Sequence, residues 1–337
     1  MAFQIFSQDD IVSNQKTTIS SGLWSGGSST LTSFYTQSLN GNITGSFLEL
    51  YNEDPNLSSS AEVQFSLGYA HIGGSGSAGN TTKLTTGGRQ SAALYRQFRN
   101  LLLAPNTENF EFTNGSSDST YDFYFISFQR ARQREKIDPG NWELHLDSGV
   151  NKVKLIDDSG ASTNPTVNQG GRVFNVVSGT IAAGIETPAA SEAGDGAYGL
   201  FYPDLGIILL NARKLDDDVA DISTTRSTDS FDNNPQVLYN SIVEGAYFQA
   251  RREEEISSTN YFVRVNNKSF NFSTNPTYAT ASDGSLTQAT FYKDPKTFIT
   301  QVGLYNDANE LLAIAKLSKP ILKSYSREAI IKVKLDF

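Results

Sequence analysis

The sequence predicts a mainly-β protein with antiparallel, sandwich-like sheets, two or three helices, and two domains of which the second is inserted in the first. Three observations lead there. Short apolar runs stand between clusters of Ser, Thr, Asn and Gly, the pattern of short strands joined by turns. Phe (21) and Tyr (15) are frequent, while charged residues are only 19% against 38% hydrophobic, a balance that favours pleated surfaces over long helices. At 337 residues the chain exceeds the usual size of one domain, so two domains are expected.

The first third reads as strands at 45–51 (GSFLELY), 61–69 (AEVQFSLGY) and 121–128 (YDFYFISF). In the last of these, Phe123 and Phe125 fall on one face while Tyr124, Ile126 and Phe128 fall on the other; a strand apolar on both faces belongs in the middle of a sandwich. Asp138-Pro139-Gly140 is a turn signal. Beyond it Trp142, Leu144 and Leu146 alternate with Glu143 and His145, giving a half-buried strand whose polar face is expected to meet solvent or a partner. Between these strands a helix is predicted over 90–104, with Tyr95, Phe98, Leu101 and Leu102 on its apolar face and Pro105 ending it. Its arginines, Arg89, Arg96 and Arg99, are expected in water.

The middle of the chain is rich in Gly, Ala, Ser, Thr and Asp and includes the weakly hydrophobic stretch 187–197, with strand-like pieces at 172–177 and 205–210. It is read as an inserted domain, 151–255, with long loops. The remainder, 1–150 plus 256–337, forms the β-sandwich-like domain. A helix near 235–252 is signalled by Asn234 as N-cap, Pro235 at the first helical position, and Leu238, Ile242 and Tyr247 along one side. Arg251, Arg252 and Glu253 to Glu255 are expected to form its solvated or interfacial end. In the last third, 261–265 and 269–272 flank Asn266-Asn267-Lys268 as a hairpin, and 298–305 and 310–317 flank Asn306-Asp307-Ala308-Asn309 as another. Residues 329–337 read as a strand held in a sheet.

Composition removes several function classes. With no Cys there is no disulfide framework, no thiolate zinc site and no thiol catalysis, and production in a reducing cytosol is expected. A formal charge of −9 argues against broad phosphate-backbone binding, so no nucleic acid partner is expected. No window approaches the roughly 18 consecutive apolar residues of a membrane span, and the N-terminus lacks a basic region followed by an apolar run, so no membrane is expected either. The Asn-x-Ser/Thr triplets at Asn42 and Asn267 read as chance.

The candidate chemistry is thin. Two histidines, His71 and His145, are little material for acid/base or multi-histidine metal work, and His145 reads as an outward strand residue. In the glycine-rich loop 73–88, Gly74, Gly79 and Thr81 match part of a phosphate-binding pattern, but Asn80 stands where its lysine must be, so an assembly loop is the better reading. Asp157-Asp158 and Asp216 to Asp218 with Asp221 lack EF-hand spacing and read as exposed acidic turns. No catalytic residues, metal ligands or cofactors are assigned. Arg130, Arg132, Arg134 and Lys136 alternate after the buried strand; if that strand continues, they share one face suited to an acidic protein partner. The candidate partner-contact residues are therefore Arg130, Arg132, Arg134, Arg251 and Arg252.

Two segments carry a likeness. TFITQVGLYNDANELLAIAKLSKPILKSYSREAIIKVKLDF, preceded by YFVRVNNKSFNFSTNP, resembles the C-terminal part of baseplate wedge proteins of T4-like, contractile-tailed phages, especially of cyanophage type. RNLLLAPNTENFEF followed by YDFYFISFQRARQREKIDPGNWELHL resembles virion structural proteins of such phages. The resemblance implies a non-enzymatic structural subunit, assembled in host cytoplasm into the tail baseplate of the virion. It implies contacts with other wedge proteins, or a homodimer, and no transferable catalytic residue. A receptor- or glycan-binding tail protein, a neck or head structural protein, and a polysaccharide hydrolase are the competing readings.

Overall fold

The computed structural model describes residues 4–37, 47–72, 86–112, 122–149, 151–160, 166–185, 198–218, 234–280 and 283–336. The described strands are β1 (Ile11–Gly22), β2 (Thr30–Leu31), β3 (Tyr35–Thr36), β4 (Phe47–Tyr51), β5 (Val63–His71), β6 (Asp122–Phe128), β7 (Lys136–Asp147), β8 (Lys152–Asp157) and β9 (Thr166–Asn168). They continue with β10 (Gly171–Thr180), β11 (Gly184–Ile185), β12 (Gly199–Tyr202), β13 (Ile207–Asn211), β14 (Phe248–Val265), β15 (Thr297–Tyr305), β16 (Leu311–Lys323) and β17 (Ala329–Asp336). Four helices accompany them: α1 (Thr86–Leu102), α2 (Arg130–Gln133), α3 (Ala212–Asp218) and α4 (Asn234–Gly245). The protein is mainly β and its strand pairings are antiparallel, as the composition predicts.

Two compact units divide the chain, Ile19–Glu254 and Met1–Thr18 with Glu255–Phe337. The second break falls beside the expected 255/256 boundary, but there is no break at 150/151. There β7 and β8 pair directly, Leu144 opposite Leu155, and β8, β10, β12 and β13 run on to β6 as one sheet. The reason is the core: Leu144 and Leu146 from before the expected boundary, and Leu155, Phe174 and Phe201 from after it, bury in one cluster.

In the larger unit the strand order is β14-β7-β8-β10-β12-β13-β6-β5-β4-β3. From β14 to β5 is seven steps, roughly 34 Å on a flat sheet at about 4.8 Å per strand. Yet the Phe248 ring of β14 lies 5.4 Å from Phe65 of β5 and 5.7 Å from Phe128 of β6. The sheet therefore curls until its two ends face one another, a sandwich-like arrangement made from a single sheet. Trp24 sits in the closure, 5.0 Å from Phe248 and 5.8 Å from Phe65, with its indole N–H donating to the Phe248 and Ser29 carbonyls at 3.0 and 3.2 Å. β6 is central, between β13 and β5, as its sequence requires: Tyr124, Ile126 and Phe128 enter the inner core. Phe123 and Phe125 enter a second core with Tyr95 and Phe98 of α1. Leu101, expected on that helix face, is instead exposed.

α4 is shorter than expected. It stops at Gly245, where a Cβ would stand 2.1 Å from the His145 carbonyl oxygen, and Ala246 then takes φ +48°, which no helix continues through. From Phe248 the chain runs extended and pairs with β7, Arg252 opposite Ile137 and Glu253 opposite Lys136, so Arg251, Arg252 and Glu253 to Glu255 belong to β14, not to a helix end. In the smaller unit, β14 does not fold back on 269–272. It pairs instead with β17, Tyr261 opposite Val333, and the β15–β16 hairpin covers that pair through Leu304, Val302, Ala313 and Ala315. That hairpin and the final strand are where the sequence puts them.

The two tryptophans differ in one respect. Both are buried, but the Trp142 indole N–H meets no acceptor among the described residues. Trp24→Phe is therefore expected to lower stability by about 2–4 kcal/mol, and Trp142→Phe by about half as much, since only the first removes made hydrogen bonds as well as ring volume. Thermal unfolding followed by far-UV circular dichroism measures both; equal losses would mean that the Trp24 hydrogen bonds contribute nothing.

Candidate functional site

Residues between β14 and β15, with Tyr325, build a concavity entirely within the smaller unit. After Val265 the chain turns through a Ser269 N–H bond to the Asn266 carbonyl (3.2 Å) and places Phe270 in the left-handed region at φ +58°. That conformation costs an aromatic residue roughly 1–3 kcal/mol. Several bonds hold it there: the Thr297 hydroxyl donates to the Phe270 carbonyl (2.9 Å), and the Tyr278 hydroxyl donates to the Asn271 carbonyl (2.9 Å). Tyr278 in turn stacks on Phe291, centroids 4.9 Å apart at 16°, and meets Phe272 edge-on at 5.6 Å. An Ala279–Leu286 bridge and Thr287, bonded to the Thr277 and Tyr278 carbonyls, tie the far side. The 3₁₀ turn Ala289–Tyr292 sends Phe291 inward and Tyr292 outward.

One cation fixes this loop to the sheet. Lys323, the last residue of β16, is fully buried, and its Nζ donates to the Asn267 carbonyl, the Asn271 Oδ1 and the Ser324 carbonyl, each at 2.9 Å. Three donors meet three oxygens, the full complement of an ammonium. Burial pulls the Lys323 pKa below the ordinary lysine value, with Glu328 opposing.

The resulting groove has a volume of about 640 Å³. Tyr278 and Phe291 form its floor, and Phe270, Phe272, Tyr292 and Tyr325 stand at its sides with Lys268, Asn271, Leu286 and Pro295. Tyr292 is 71% exposed, Phe272 58% and Tyr325 55%. The lining is aromatic, aliphatic, amide and ammonium, so its chemistry is stacking and hydrogen bonding rather than proton transfer. Behind Leu286, the Asp283 carboxylate accepts from the Thr280 hydroxyl and from the Ser285 N–H and hydroxyl, which lower its pKa to about 2.

The residues singled out from sequence lie elsewhere. Arg130, Arg132 and Arg134 do not share a strand face, because α2 turns the chain after β6 and Arg134 takes φ +55°. Arg130 opens α2 at the surface. Arg132 pairs with Glu62 at 3.1 Å and donates to Ser25. Arg134 and Arg252 share Glu254, at 3.1 and 2.6 Å, and Lys136 pairs with Glu253. Burial raises the Glu254 pKa, but the two guanidinium groups outweigh it and leave it lowered. Arg251 donates to Ser20. Four of the five arginines are thus engaged within the unit.

His145 does not face outward. It stacks on Tyr247 at 4.4 Å with its Nε2 2.7 Å from Glu143, whose other oxygen accepts the Ile181 N–H. His71 stacks against Tyr69 at 6.4 Å. Asp157 caps the turn at Gly140 (φ +79°), accepting its N–H at 2.8 Å, and Asp158 binds Asn175, so these carboxylates shape turns. Asp216 to Asp218 end α3, while Asp221, most of the 73–88 loop and 187–197, save the helical start of the former, lie outside the described residues. Among the described residues no group of three or more His, Asp or Glu side chains is placed to hold a metal ion.

Comparison of the chain with protein-family models, with curated proteins and with solved structures gives no match. The groove escapes sequence reading because 269–272 alternate like a strand. The signal that points to it is the density of Phe and Tyr (270, 272, 278, 291, 292) in a segment otherwise made of Asn, Ser, Thr and Pro.

Lys323→Met leaves three oxygens without their donor and is expected to cost about 1–3 kcal/mol and to shift the amide resonances of Phe270 to Phe272. Unchanged resonances would separate the lysine from the groove. Asp283, whose depressed pKa makes its contribution complete above the unfolded value near 4, is expected to titrate at about 2 by carboxyl NMR, with the turn it closes loosening as pH falls through that value. A midpoint near 4 would show those bonds to be absent in solution.

Proposed function

We propose that the protein is a non-catalytic structural subunit of a contractile-tail baseplate, a wedge component that acts through protein–protein contacts. The observation that carries this reading is the outer face of the β15–β16 hairpin, the segment in which the resemblance is strongest. The inner face of the hairpin is spent on β14 and β17 through Leu304, Val302, Ala313 and Ala315. On the outer face Leu312 is 68% exposed, Phe298 63% and Ile314 52%, with Tyr305 and Leu311 at the tip. A two-stranded ribbon apolar on both faces is the composition of a strand pair meant to be covered twice. Each such side chain gains roughly 1.5–3 kcal/mol on burial, a driving force for association.

Charge favours an acidic neighbour. The unit with the ribbon holds 11 Lys and Arg against 9 Asp and Glu, a formal +2, while Ile19–Glu254 holds 16 against 27, a formal −11. Lys316 and Lys319 are exposed on β16, so the complementary surface is an apolar patch with an acidic rim on another wedge protein.

Immunogold labelling of intact virions is expected to mark the distal tail end; label on the head or collar would move the subunit elsewhere. The paired substitution Leu312→Glu with Ile314→Glu, at exposed positions, is expected to leave thermal stability within about 0.5 kcal/mol while abolishing stoichiometric co-sedimentation with other tail proteins. Undiminished co-sedimentation would remove the ribbon from the interface.

A further inference from the structure

We propose that the aromatic groove between β14 and β15 is a saccharide-binding site, taking a neutral pyranose unit of a glycan by stacking. The proposal is independent of the assembly reading, since the ribbon's outer face and the groove use different residues. Apolar residues exposed singly are ordinary on a protein surface, whereas four aromatic side chains gathered around one concavity of about 640 Å³ are not. Tyr292, Tyr325, Phe272 and Phe270 present rings to solvent over a floor of two more, Tyr278 and Phe291, that are already stacked on each other. The floor is therefore filled, and the outer rings have faces to offer.

The concavity is also built to hold its shape. Phe270 keeps a backbone conformation aromatic residues rarely adopt, and the loop on either side of it is bonded by Thr297, Tyr278 and the buried Lys323 ammonium. A backbone outlier over-determined by its surroundings marks a positioned surface. Rigid rings lose little freedom when a ligand stacks on them.

The ligand class follows from the lining. A pyranose offers an apolar C–H face for the ring planes and equatorial hydroxyls for polar groups at their edge. Lys268 and the hydroxyls of the exposed Tyr292 and Tyr325 are such groups, while the Asn271 amide is held by Lys323 and by its own bond to the Asn267 carbonyl. The ring faces would attract a cationic ligand, but the Lys268 ammonium in the same lining repels one, and no carboxylate in that lining offsets it. Single-stranded nucleic acid stacks on aromatic residues too, but needs a run of cations along the groove, and here Lys268 is the one cation in the described lining. Proline-rich peptides also use aromatic grooves; the ammonium and tyrosine hydroxyls at this rim favour hydroxyl-bearing ligands instead.

The test uses the full chain on a glycan microarray of neutral, amino and acidic oligosaccharides, followed by saturation-transfer NMR on each hit and, in parallel, on decaproline and a ten-residue oligothymidylate. At least one neutral glycan is expected to bind, with transfer strongest to its ring C–H protons. Tyr292→Ala with Tyr325→Ala, at exposed positions and with an unchanged melting curve, is expected to weaken it at least about tenfold, or about 1.4 kcal/mol. The Leu312→Glu, Ile314→Glu variant is expected to bind the glycan as the parent does. An array without neutral hits, glycan binding that the tyrosine variant leaves intact, or transfer confined to decaproline or oligothymidylate would each overturn the proposal.

Discussion

The larger unit depends on the contact of Phe248 with Phe65 and Phe128 around Trp24. These residues come from strands seven and six places apart in one sheet, and only their meeting turns an open sheet into an enclosed core. The constraint has local consequences. Gly245 must let α4 end against the His145 carbonyl, and β14 must begin at once so that Phe248 faces inward. Once β14 is set, Glu253 falls opposite Lys136 and Glu254 within reach of Arg134, so the ion pairs follow from the aromatic closure. Partly exposed pairs of this kind are worth little individually; here they align a register that packing has already fixed.

In the smaller unit a buried ammonium does comparable work by a different route. A lysine desolvated without a carboxylate among its bonded partners is costly unless all three of its hydrogens are taken, and the Asn267, Asn271 and Ser324 oxygens take them. The geometry leaves the loop little choice: its carbonyls must converge on the end of β16, and Phe270 adopts its left-handed conformation within that constraint. The groove loop is thereby bonded to the end of β16.

Much of this was legible in the residues. The two-faced apolar pattern of Phe123 to Phe128 specified a central strand because covering both faces is the only way to remove all five rings and side chains from water. Asn306 to Asn309 marked a hairpin because Asn309 accepts φ +60° and the Asn306 side chain accepts the Glu310 N–H. What was hidden depended on distant partners. Arg251 to Glu255 are as compatible with a helix as with a strand, and a carbonyl a hundred residues away decides between them. The partner of β14 lies some seventy residues on in β17 rather than next door, so local turn chemistry misassigned it, and with it the groove. Arg132, Arg134 and Arg252 read as available for partners because sequence does not show the carboxylates that occupy them.

The two exposed apolar surfaces of the smaller unit differ in a way that bears on what each is for. The ribbon's outer face exposes Leu312, Ile314 and Phe298 on two paired strands, so its gain is area removed from water, which an extended protein surface supplies. The groove is aromatic, concave and edged with amide and ammonium, so its gain comes from a few oriented contacts that a small ring can satisfy. Exposed apolar area with a basic margin suits a neighbour of matching size; a set of rings around a concavity suits a ligand of matching shape. On the two proposals above, a neighbour seated on the hairpin alone leaves the groove open, because the two surfaces use different residues.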